Sequence, residues 1–254
     1  MNDALPAFMN LPQEDKGRLM MDMVFRMIMH YGFWFSEVRH QMGMDAALEM
    51  METVMPRGTD ISMKRMADIL DFELKDGLPE AVANMDEDRM NELLKGLAKN
   101  WLVMDGVWFQ AVEKVRGMND AKRCNDSCWG KFSPYEAHAI KKFLNLGDSP
   151  GLSGLKKALN FRMYSFINTQ SIVDEGPKSF VFQMNECRVQ AARKRRNLPD
   201  YPCKSAGLVE YTYFASAFDS KIKTTCIGCP PDPHPEEWFC AWRFSMEQAV
   251  KETS

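Results

Sequence analysis

Residues 32–47, GFWFSEVRHQMGMDAA, return 74 positions later as residues 106–121, GVWFQAVEKVRGMNDA. Seven of these sixteen positions are identical: Gly32/Gly106, Trp34/Trp108, Phe35/Phe109, Val38/Val112, Gly43/Gly117, Met44/Met118 and Ala47/Ala121. The register extends outward without a gap. Upstream, Leu19 aligns with Leu93, Met27 with Trp101 and Ile28 with Leu102; downstream, Thr59 aligns with Ser133 and Leu70 with Leu144. A constant offset over about sixty residues is the signature of an internal repeat. The copies span about 19–86 and 93–160.

Both copies read as helical. Met27, Ile28, Tyr31, Trp34, Phe35 and Val38 recur at three- and four-residue steps, as one buried helix face requires. Trp101, Leu102, Trp108, Phe109 and Val112 repeat the pattern, with Asp105 in the place of Tyr31. Gly43 and Gly117 end the long helices, because glycine accepts the left-handed turn that closes one. New helices are expected at Thr59-Asp60 and at Ser133-Pro134-Tyr135-Glu136, where serine caps, proline fits the first turn and the glutamate reaches back. The two units are expected to pack through their Trp/Phe faces. Many of the 21 methionines fall in the repeat, where they fill irregular gaps in a core.

Near residue 155 the texture changes. Residues 164–173 and 179–184 have strand composition around the turn Asp174-Glu175-Gly176-Pro177. Residues 186–197 and 205–218 look helical, and 221–227 and 238–245 form a second strand pair about the loop Pro230-Pro231-Asp232-Pro233-His234-Pro235. The expected fold is therefore α+β: a helical tandem repeat over 1–155, then an antiparallel sheet with helices over 156–254.

Composition excludes several classes. A net charge of −3 offers no field for a polyanion, so no nucleic acid is expected. The short basic run Arg193–Arg196 suits the C-terminal end of a helix dipole. No apolar run is long enough for a membrane span, and the start, Met1 to Pro6, lacks a secretory pattern, so a cytoplasmic protein is expected. There is no Gly-rich phosphate loop and no Gly-x-Ser-x-Gly elbow.

Seven cysteines are present, five of them in the last 68 residues. In a reducing cytosol, cysteines at short spacing point to metal more than to disulfides. Cys226-x2-Cys229 is one knuckle, Cys203 stands at a helix start, and Cys240 lies on the strand beside the knuckle. Together they make a tetrahedral Zn2+ site the leading expectation, with Cys187 and His234 in reserve. Buried thiols and redox or nucleophilic chemistry are the alternatives. Cys124 and Cys128 align with the core positions Met50 and Val54 and are read as core.

The C-terminal part resembles the 4-vinyl reductase domain superfamily of small-molecule sensor domains, and more distantly the amino-thiazoline-carboxylate hydrolase family. The likeness rests on a strand ending near Cys187, the helix start Cys203-x3-Gly207, a strand entering Cys226, and the final Cys240-x-Trp242-x-Phe244. The whole chain resembles an uncharacterised family of bacterial cytosolic proteins, through Tyr201–Lys204, Gly207–Tyr211, Cys226–Asp232 and Trp238–Phe244. In the sensor domains zinc is held by a helix-start cysteine, a Glu-x2-Cys pair and a late cysteine. The resemblance carries these to Cys203, Cys226 and Cys240. Its glutamate falls on Lys223, which cannot ligate while charged, so Cys229 takes that place.

The leading functional expectation is a zinc-stabilised small-molecule-binding protein whose pocket for a small apolar or aromatic ligand is lined by Phe166, Phe182, Tyr211 and Phe214. The rival is a hydrolase of a small heterocycle or amide, with Glu210, His234 or a cysteine as acid/base or nucleophile. The third is a helical interaction scaffold, as a homodimer.

Overall fold

A computed structural model of the chain describes residues 7–195, 197 and 200–246. It divides into two compact units, Met1–Ala83 and Asn84–Ser254.

In the first unit two long helices, α1 (Gln13–Met42) and α2 (Met44–Leu70), form a hairpin about Gly43. This glycine has φ 90° and ψ 171°, and its N–H closes the last turn on the Arg39 carbonyl at 3.0 Å. That conformation strains any residue with a Cβ. A two-residue ribbon follows, β1 (Leu74–Lys75) and β2 (Leu78–Pro79), joined through Asp76 and Gly77, both with positive φ as such a tight turn requires. The short α3 (Glu80–Ala83) ends the unit. Among its described residues, Ala47 is the one buried hydrophobic side chain, while Phe25, Ile28, Phe33 and Trp34 are exposed.

The second unit opens with a hairpin of the same construction, α4 (Glu87–Arg116) and α5 (Met118–Phe143), turning at Gly117 with φ 87° and ψ 171°. Asp86 caps α4 by accepting from the Arg89 N–H at 2.9 Å. Then come α6 (Gly151–Leu159), a 3-10 turn at Met163–Phe166, strands β3 (Thr169–Asp174) and β4 (Ser179–Glu186), α7 (Arg188–Lys194), α8 (Lys204–Phe218), β5 (Ile222–Gly228) and β6 (Cys240–Met246). The four strands form one antiparallel sheet in the order β3-β4-β6-β5. Helix α8 lies on the sheet: Tyr211 meets Trp242 with ring centroids 4.9 Å apart and Phe182 at 5.6 Å. Helix α5 packs on α8, and Lys141 Nζ donates to the Ala217 carbonyl at 3.1 Å.

The fold is thus helices first, then an antiparallel sheet interspersed with helices. Five details differ from the expectation. The division falls after Ala83 rather than near residue 155, because α4 and α5 belong to the same compact unit as the sheet. Thr59 and Ser133 start no helix: α2 runs through Pro56 and α5 through Pro134. The proline ring at 134 must clear the carbonyl of residue 130, which is a glycine. Residues 163–166 coil into a 3-10 turn before the strand begins. Trp34 and Trp108 are 63% and 61% exposed, so neither ring is buried as periodicity implied; Cys124 and Cys128 are likewise exposed.

One buried ionic group joins α5, the 3-10 turn and α8. Arg162 Nε donates to Glu136 Oε2 at 2.8 Å and its Nη1 to Glu210 Oε1 at 2.6 Å. Glu136 Oε1 also accepts from the Met163 N–H at 3.2 Å. Arg162 is 2% exposed and both glutamates 6%. Four rings enclose the guanidinium, at 4.5 Å (Phe214), 5.5 Å (Tyr211), 5.6 Å (Tyr164) and 5.9 Å (Trp129). Burial opposes the Arg162 charge, but Glu136 and Glu210 hold it protonated. Burial lifts the pKa of Glu210 to about 7 against the pull of Arg162, with Glu136 and Asp105 adding to the rise.

Arg162→Met should lower the unfolding free energy by about 3–5 kcal/mol in urea melts, since it leaves two carboxyl groups buried without their cation. Adding Glu136→Leu and Glu210→Leu should recover most of that loss; a single-variant loss under about 1 kcal/mol would refute the assignment. The raised acid also fixes a pH dependence. The folded chain holds the Glu210 proton more tightly than the unfolded chain, whose value is near 4.5. Its stabilising contribution is complete below pH 4.5 and is lost as pH rises through about 7. The stability of the parent relative to Glu210→Gln should therefore fall between those pH values and stay level beyond them.

Candidate functional site

A cavity of about 390 Å³ lies inside the second unit. Helix α4 supplies Leu102, Asp105, Gly106 and Phe109, and α5 supplies Trp129. The opposite wall is the first half of α8, with Cys203, Gly207, Glu210 and Tyr211, backed by Met184, Cys240 and Trp242 from the sheet. Arg188 and Arg193 of α7 also line it. The sequence builds the wall through close packing: a Cβ on Gly207 would lie 2.5 Å from Trp242 Cζ2, so glycine lets α8 settle on the indole.

Several buried polar atoms of residues in the lining have no hydrogen-bond partner among the described residues. They are Trp242 Nε1, the Tyr201 hydroxyl and Asn168 Nδ2. Trp242 is fully buried. Unpaired buried donors are rare because each forfeits its hydration, and here all three belong to residues that line one space. Glu210 lines the same space, and its one hydrogen bond among the described residues is that from Arg162. Asp105 is raised by burial.

The zinc expectation is overturned. Among the described residues no group of three or more His, Cys, Asp or Glu is placed to hold a metal ion. Cys187, Cys203, Cys229 and Cys240 do approach the cavity, but as separately engaged thiols. Cys203 Sγ accepts from Gln190 Nε2 at 3.3 Å. Cys229 is hydrogen-bonded to Cys240, which with burial raises its pKa. Burial pushes Cys187 up to about 11 and Cys203 well above the usual thiol range. Cys226 pairs with Trp242 across β5 and β6 and packs against the core, outside the cavity lining. The reserve ligand His234 turns Nε2 to the acceptor Asp200 Oδ2, 3.0 Å away, and Nδ1 to the Pro235 carbonyl, 2.8 Å away. Burial works to lower its pKa, but the Asp200 and Pro235 contacts raise it.

The acid/base candidates separate. Glu210 is buried and faces the cavity, whereas His234 is outside the lining. Of the four aromatic candidates, Tyr211 lines the cavity, Phe182 and Phe214 are packed in the core, and Phe166 is half-buried in the 3-10 turn. Arg193 lines the cavity, while Arg196 of the basic run lies outside the described residues. Sequence reasoning missed Arg162, Glu136, Asp105 and Trp242. One signal was present: Asp105 interrupts an apolar helix face at the position where the first copy has Tyr31.

Among the described residues no helix is long and apolar enough to cross a membrane. No curated protein and no solved structure matches the chain. One family does, over residues 9–90 and again over residues 82–246, and its description is a family of unknown function. With those matches together covering nearly all of its length, the chain belongs to that family, DUF6125.

Proposed function

We propose that the second unit is a metal-free small-molecule-binding domain that encloses its ligand in the cavity between α4 and α8. The observation that carries this reading is the set of buried, unpartnered donors around a space of about 390 Å³, the size of a small-ligand pocket. The likeness of residues 160–246 to the 4-vinyl reductase sensor domains agrees with it, without the zinc. We also read the two hairpins as copies of one unit; the shared glycine geometry at 43 and 117 and the two overlapping family matches support this. Seven free thiols fit a reducing, cytoplasmic setting.

A second reading concerns the first unit. A helical hairpin that buries one alanine and exposes Phe25, Ile28, Phe33 and Trp34 is stabilised poorly on its own. We read the exposed apolar surface of this hairpin as the contact of a homodimer.

Gly106 gives a test of the cavity, since it lines the space and a Cβ added there meets nothing within 4 Å. Saturation-transfer NMR against a panel of small aromatic compounds should find binders. Gly106→Phe should lose them all with its melting temperature unchanged or higher, as helical glycine is replaced. Binders that survive the substitution, or a panel with none, would sink the proposal. For the homodimer, sedimentation velocity should give twice the chain mass at tens of micromolar, reduced to a single chain by Trp34→Arg. A parent that sediments as one chain throughout would exclude it.

A further inference from the structure

The charge inside the second unit does not balance. Arg162 is the buried cation, and Glu136 and Glu210 both bond to it. Asp105 adds a third carboxyl group, half-buried on the facing helix, with no hydrogen bond or ion pair among the described residues. Asp105 and Glu210 both line the cavity. Phe109, Trp129, Tyr164 and Tyr211 line it with them, the last three also enclosing the Arg162 guanidinium. Aromatic faces attract cations, and they do so most strongly where water is excluded.

We infer that the cavity takes an organic cation, an aromatic or alkyl ammonium or an amidinium, with its positive centre between Glu210 and Asp105. The inference rests on the ligand-binding reading of the same cavity and names the ligand class. A carboxylate ligand would meet two acids across the pocket and leave both more costly to bury. Two cations of α7 also line the cavity, Arg188 exposed to solvent and Arg193 half-buried. Lys122 stands 5.0 Å from the Tyr201 ring centroid.

A proton should leave when such a ligand binds. The groups around Glu210 are Asp105 on α4, Glu136 on α5, Arg162 and Tyr164 at the 3-10 turn, Tyr211 on its own helix, and Cys187 and Cys203 at the cavity wall. Both tyrosines and both thiols are held neutral by burial, so the proton is lost from a carboxyl group. Cation affinity then rises with pH through about 7.

Isothermal titration of the full chain tests this with three probes of one shape: benzylamine, benzyl alcohol and benzoate. At pH 8 benzylamine should bind at least ten-fold more tightly than benzyl alcohol, and benzoate should not bind. At pH 6.5, buffers of different ionisation heat should give different apparent enthalpies for benzylamine, the mark of a released proton. Asp105→Asn, which leaves the Arg162 group intact, should erase the ten-fold preference while benzyl alcohol still binds. Equal or tighter binding of the alcohol or of benzoate would overturn the cation and spare the cavity reading. Failure of all three probes would also overturn it, while the Gly106→Phe comparison judges the cavity separately.

Discussion

The second unit depends on one ion-paired arginine. Arg162 sits on a short turn with little packing area of its own, yet it joins helices that enter the fold 26 residues earlier and 48 residues later. Burying a guanidinium is unfavourable unless its N–H groups and charge are met, and here two carboxylates and four rings meet them. The arrangement is specific in a way that apolar contact is not. A helix can slide along a greasy neighbour by part of a turn, but α5 and α8 cannot shift without pulling a carboxylate off Arg162. The sheet then follows, because α8 carries Tyr211 onto Trp242 and Phe182.

The parts of this structure legible in the sequence are those governed by local rules. Gly43 and Gly117 end the long helices because the required backbone conformation excludes side chains. The strand pairs on either side of α8 follow from composition and turn residues, and they form one antiparallel sheet. Local rules also misled where two of them competed. Ser133, Pro134 and Glu136 have the grammar of a helix start, yet long-range packing won: Ser133 is buried, the helix continues, and Glu136 faces Arg162. No periodicity announces a partner 26 residues away.

The cysteines make the same point about chemistry. Their spacing and the family resemblance both predicted that distant sulfurs would gather, and four of them do line one cavity. What spacing cannot encode is the direction of each Sγ and the neighbour that engages it. Gln190 takes Cys203, Cys229 and Cys240 take each other, and Cys226 packs against the core beside Trp242. Gathered sulfurs are not a ligand set until three or four point at one centre. Burial raises the energy of the thiolate in the meantime, so the cluster behaves as small, polarisable packing.

Glu210 ties stability to occupancy. The carboxyl group that helps fasten α8 to Arg162 also lines the cavity, and burial has brought its pKa to about 7. Anything that enters and changes the ionisation of Glu210 must change the strength of that fastening by the same free energy, since the two are linked through one proton. A ligand that favours the carboxylate strengthens the pull on Arg162 but must offset the larger cost of burying that charge; one that favours the acid relieves the cost and weakens the pull. The cavity wall and the structural clasp are therefore one element with two protonation states, and the orientation of α8 on the sheet is where a binding event would first be felt.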